Sequence, residues 1–168
     1  MKVVGIAVAT VIAIALQTTL TRFLSGTVVV DFVLVVVVYA ALLWGPAAGL
    51  LTGTFAGLIQ DALSIGVIGI GGLAKTIVGF LAGVIGTQFI VSQAPSRFVV
   101  FFAATVLHAV IFMGLYELLG LRDFGTPYGR VLEQAFANAV VGTVAFQVAE
   151  LLPGAVERRR LNRARPRR

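Results

Sequence analysis

The sequence predicts an all-α integral membrane protein, a bundle of about six transmembrane helices, and three observations carry that prediction. Hydrophobic residues make up 59% of the 168 and charged residues 12%, with a mean hydropathy of +1.03, far above the roughly 45–50% apolar content of an ordinary soluble domain. The apolar residues fall into six blocks, each close to the ~20 residues a helix needs to cross hydrocarbon. Glycines recur at every fourth position in one block, the spacing that lets membrane helices approach closely. Cysteine is absent, which excludes a disulfide framework, thiolate metal sites and a thiol nucleophile.

The first block runs from Val3 to Leu20 and is interrupted by Arg22, Ser25 and Gly26. A cleaved signal peptide is its competing reading; the block is long for one, its leading region has a single lysine, and QTTLTRF offers no small-x-small cleavage site. The second, Val28 to Leu43, is almost pure valine and leucine and stops at Trp44-Gly45-Pro46. In the third, Pro46 to Leu63, proline suits the first helical position because its missing N–H would be unpaired there anyway. The fourth, Ile68 to Ile90, follows the turn GVIGIGG; the fifth, Phe98 to Leu119, follows SQAPSR; the sixth, Val131 to Leu152, follows LRDFGTPYG and ends at Pro153-Gly154. The expected organisation is one six-span domain over 1–153 and an Arg-rich tail over 154–168.

Six spans put both termini on one side, and charge says which. The tail ERRRLNRARPRR holds seven arginines, and basic residues next to a span stay in the cytoplasm. Lys2 and Arg97 agree, whereas Arg22, Arg122 and Arg130 fall outside as a minority. Both termini are therefore expected to be cytoplasmic. The net charge of +6 comes almost entirely from the tail, so it reads as a topology anchor lying on anionic lipid and not as a nucleic-acid surface. Phe124 and Tyr128 in the last outer loop read as interfacial anchors.

This topology gathers Asp31, Asp61, Lys75, Glu117 and Glu133 in the outer half of the bilayer, with Glu150 in the inner half and His108 at mid-span. Charges inside hydrocarbon need partners. Lys75 is the base at depth, and pairing with Asp31 or Asp61 would neutralise two charges at once. Sharper chemistries find no support. The aspartates sit in VVVD and LIQD, not in the tyrosine-aspartate and Gly-x-Gly-Asp contexts of intramembrane aspartyl proteases. No internal repeat suggests a coupled transporter. His108 is the single histidine and reads as a hydrogen-bond partner within the bundle. GVIGIGG is a turn without the strand-helix context of a phosphate loop. No cofactor or metal is expected.

The remaining signal is packing. Gly45, Gly49, Gly53 and Gly57 line the third block, ending on Asp61, and Gly79, Gly83 and Gly86 follow on the next. A step of four advances about 40° around a helix, so the stripe wraps, and Gly53, Gly57 and Asp61 share one side. The stripe reads as a tight hairpin of spans three and four, with a groove for another protein's helix as the alternative.

LQTTL, VVVDFVLVVVVYAAL, GPAAGLLTGTFAGLIQDALS and GIGGLAKTIVGFLAG, in that order, closely resemble the rod shape-determining membrane protein family MreD. The match rests on Gln17, Asp31, Tyr39, Gly45, Gly49, Gly57, Asp61, Gly72, Gly79 and Gly83 and is strongest over residues 15–90. The resemblance implies a non-enzymatic component of the bacterial inner membrane that binds MreC and belongs to the peptidoglycan elongation machinery. Indirect links then run to MreB, RodA and a class B penicillin-binding protein. It also implies a fold similar to the substrate-capture subunits of energy-coupling-factor transporters. That likeness supplies the alternative function, capture of a vitamin or metal, with Ala9-x-x-x-Ala13 as the docking pair.

Overall fold

The structure is a computed structural model that describes residues 2–23, 30–64, 66–88, 91, 93–122, 124–125 and 127–151. The Arg-rich tail lies outside the described residues. Six helices follow one another: α1 (Lys2–Phe23), α2 (Phe32–Trp44), α3 (Pro46–Ala62), α4 (Ile70–Gln88), α5 (Ala94–Leu118) and α6 (Tyr128–Leu151). Among the described residues there is no strand. Three of the helices, α4, α5 and α6, are long and apolar enough to cross a membrane, while the apolar parts of α1 and α2 are shorter. Neighbours in sequence run antiparallel, so α1, α3 and α5 begin, and α2, α4 and α6 end, at one pole, here the terminal pole.

The short helix α2 is the axis of the bundle. Its thirteen residues span about 20 Å at 1.5 Å each, less than the ~30 Å of a bilayer's hydrocarbon. A helix that is apolar all round belongs inside a bundle, and Val33, Leu34, Val35, Val37, Val38, Ala40 and Ala41 are all buried. Every other helix packs on it. It starts at Phe32 and not at Val28, because Asp31 is its N-cap and accepts a hydrogen bond from the Leu34 N–H at 2.9 Å; Val28 itself lies outside the described residues. The helices α5 and α6 also start earlier than expected, at Ala94 and Tyr128. Gln93 precedes α5 with extended backbone, and proline stands in its first turn, where it costs no hydrogen bond.

A single residue, Gly45, turns α2 into α3. Its φ of +91° lies where side chains with a Cβ are strained. From that turn α3 lies directly on α4. A Cβ built at Gly57 would stand 2.5 Å from the Gly72 Cα, and one at Gly83 would stand 2.5 Å from the Pro46 Cα. At Gly53 it would land on the Lys75 carbonyl, and Gly49 and Gly79 would each strike the other's carbonyl. The glycine stripe is thus consumed inside the chain, backbone against backbone, where van der Waals fit supplies association. A smaller version joins α5 and α6, where a Cβ on Gly142 would meet the Phe101 ring at 2.5 Å.

Helix α1 is the outlier. It packs on α2 and α3, burying Ala13 and Ile14 against Val33, Val37 and Ala56, and among the described residues it touches neither α5 nor α6. Val4, Val8, Val11, Ile12 and Leu16 remain exposed along it.

Gly53→Leu should therefore lower the thermal unfolding temperature of the detergent-solubilised chain, at a cost of about 1–3 kcal/mol or more from overpacking. Gly5→Leu, at a glycine with open space around it, should leave the transition in place. Equal melting of the two variants would contradict the contact.

Candidate functional site

Burying the start of α2 creates an electrostatic problem that side chains from the surrounding helices solve. The first N–H groups of a helix lack intrahelical acceptors and must find others in an apolar interior. Here the Phe32 N–H donates to Gln17 Oε1 of α1 at 2.9 Å, and the Asp31 N–H donates to Asn138 Oδ1 of α6 at 2.9 Å. Asn138 in turn donates to Thr105 Oγ1 of α5 at 3.1 Å, and that hydroxyl donates to the Phe101 carbonyl at 2.9 Å.

The capping carboxylate is charged, and its counter-ion comes from α4. Lys75 Nζ stands 3.0 Å from Asp31 Oδ2, with side chains 4% and 9% exposed, so solvent screens little of their attraction. His108 of α5 stands 3.3 Å from the same ammonium through Nε2. With Lys75 charged against Asp31, Nε2 is the acceptor and the ring proton sits on Nδ1. Gly53 of α3 lies against the Lys75 carbonyl, so all six helices meet around this node.

Asp61 performs a separate task. Its Oδ2 accepts from the Gly69 and Gly72 N–H groups, both at 2.9 Å, so the acid that closes α3 caps the start of α4. The absence of a Cβ at Gly71 lets it approach, since one there would strike its carboxylate, while one at Gly72 would crowd Leu58 of α3. Of the two acids that the sequence offers as partners for Lys75, the ion pair is with Asp31. Glu117 and Glu133 are exposed and stand apart from the node. Tyr39 packs its ring at a tilt against Phe146 of α6, with centroids 4.8 Å apart.

Sequence reasoning missed Asn138 and Thr105, although a single amide in AFANAVV was a visible signal. It also missed the ion pair at the terminal pole. Arg97, 2% exposed, forms a double hydrogen bond with Glu150 at 2.9 and 2.7 Å and lies 4.2 Å over the Phe146 ring. Arginine at a helix start and glutamate at a helix end each oppose their own helix dipole, so this pair serves the contact between α5 and α6. Among the described residues no group of three or more His, Asp or Glu could hold a metal ion.

The node pairs its two charges, joins them to a run of hydrogen bonds and draws on every helix, which defines a helical membrane protein built around a buried polar lock. More particularly, the chain belongs to the MreD family: the model for rod shape-determining protein MreD matches residues 1–151. This is a family of membrane proteins with a role in rod shape determination. Comparison with curated proteins and with solved structures gives no match.

Removing one charge of the lock should be worse than removing both. Lys75→Met should destabilise by about 3–5 kcal/mol, the usual cost of an uncompensated buried charge. Adding Asp31→Asn, which keeps an N-cap acceptor, should recover part of that loss. Additive losses in denaturant unfolding would disprove the pair. Asp61→Ala should cost about 1–3 kcal/mol by orphaning two N–H groups, and Asp61→Asn clearly less; equal melting shifts would show that capping is not its role.

Proposed function

We propose that this chain is a non-enzymatic scaffold of the bacterial cell-wall elongation machinery, crossing the inner membrane six times with both termini in the cytoplasm. In this reading residues 1–153 form one transmembrane domain, 154–168 form a cytoplasmic tail, and the domain binds MreC. MreB, RodA and a class B penicillin-binding protein connect through that complex, in support of peptidoglycan synthesis along the cell body. The observation that carries the proposal is the family match across residues 1–151.

The geometry supports it indirectly. The polar groups that could take a substrate are bonded to one another, and the glycines that could receive a foreign helix are occupied by α4. Partner recognition then falls to outward faces, with affinity from shape and small polar contacts within the membrane. Capture of a vitamin or metal by a transport subunit is less well served. Its docking pair would use Ala9 and Ala13, and Ala13 is 4% exposed and spent on α2 and α3.

A tagged full-length chain extracted in mild detergent should retain MreC. Recovery of an ATP-driven transport module in place of MreC would sink the scaffold reading. So would a small vitamin that raises the melting temperature, since a ligand at 100 times its Kd adds about 2.7 kcal/mol of stability.

A further inference from the structure

The terminal pole contains a feature that neither the lock nor the scaffold reading uses. A cavity of about 600 Å³ opens there between α1, α2, α3 and α4. Ile6, Leu42, Leu43 and Ala48 form its apolar side, and Trp44 and Thr87 also line it.

Two helices end in its wall. The last carbonyls of a helix have no intrahelical donors and carry a partial negative charge. Gly45 N–H satisfies the Ala41 carbonyl and the Thr87 hydroxyl donates to the Val84 carbonyl, but neither α2 nor α4 has a basic residue in its last turn. The start of α3 shares the cavity and offsets one of these two negative ends, with Pro46 contributing no N–H to it. Of the basic residues at this pole, Arg97 is committed to Glu150. Carbonyl oxygens beside an indole ring, under an apolar wall, make an environment suited to a cation on an apolar stem.

We propose that the cavity receives an arginine side chain from this chain's own tail, residues 152–168. The tail holds seven arginines and leaves α6 at the pole where the cavity opens. Seventeen residues reach about 56–61 Å when extended, and neighbouring helix axes lie only about 8–10 Å apart, so the span is easily covered. Tethering holds the arginines at about millimolar effective concentration. The stem lies along Ile6, Leu42 and Leu43, and the guanidinium meets the carbonyls and the Trp44 ring. Anionic lipid competes for the same arginines.

The sequence contains no cysteine and a single tryptophan, which makes the test direct. Thr87→Cys combined with Arg159→Cys, in the full chain in phosphatidylcholine vesicles, should form a disulfide at least fivefold faster than Gln93→Cys with Arg159→Cys. Gln93 is exposed at the same pole. Replacing the other tail arginines by glutamine should remove the preference. Equal rates, or a preference that survives loss of the arginines, would overturn the proposal. Loss of the preference when a quarter of the lipid is anionic would assign the tail to the lipid surface and overturn it as well. Without any cysteine, the tail Arg→Gln variant should make Trp44 about twofold more accessible to acrylamide, and unchanged quenching would also refute the proposal.

Discussion

The buried beginning of α2 is the constraint on which the rest of the structure depends. A helix that starts inside an apolar bundle exposes N–H groups where no water can serve them, and each left unmet would cost several kcal/mol. Asp31 meets one and in doing so places a full negative charge at depth. Lys75 meets the charge, His108 meets the ammonium, and Gln17 and Asn138 meet two further N–H groups. Each solution comes from a different helix. The polar network is therefore a register device: sliding any one helix by a turn leaves either a charge or a donor unpaired.

The glycine contact and the lock are one mechanism seen at two depths. Lys75 reaches Asp31 from a backbone on which Gly53 rests, so the close approach of α3 fixes the height from which the lysine extends. At the far end of α3, Asp61 holds the first N–H groups of α4. Glycines set the distance between α3 and α4, and the two aspartates set their phase. Neither device works alone, because glycine gives no direction and a lone charge in hydrocarbon gives no stability.

Much of this was legible in the residues. Six apolar blocks correspond to six helices, because hydrophobic length survives any detail of packing. The glycine stripe announced a close approach, and periodicity alone was silent on whether the other surface was internal. The start of α2 was misplaced because valine-rich residues before Asp31 read as more helix, whereas an N-cap acid ends the helix by satisfying it. Glu117 and Glu133 were grouped with the deep charges by their position along the chain, but rotation about a helix decides burial, and their faces turn outward. Asn138 and Thr105 escaped notice because neutral polar residues leave little trace in a hydropathy count. Arg97 and Glu150 were noted singly, and their partnership across 53 positions is a property of the fold.

That last partnership has a bearing on the order in which the chain is made. Ribosomes deliver α5 well before α6, so Arg97 emerges without its carboxylate and waits through the synthesis of the whole hairpin. The Asp31–Lys75 pair closes as soon as α4 is complete, but the Asp31 N–H still lacks Asn138 until α6 arrives. The nascent bundle thus passes through a stage in which Asp31 and Lys75 are paired while Arg97 lacks Glu150 and one backbone donor lacks Asn138. Arrival of α6 closes both at once, because Asn138 and Glu150 stand on that one helix.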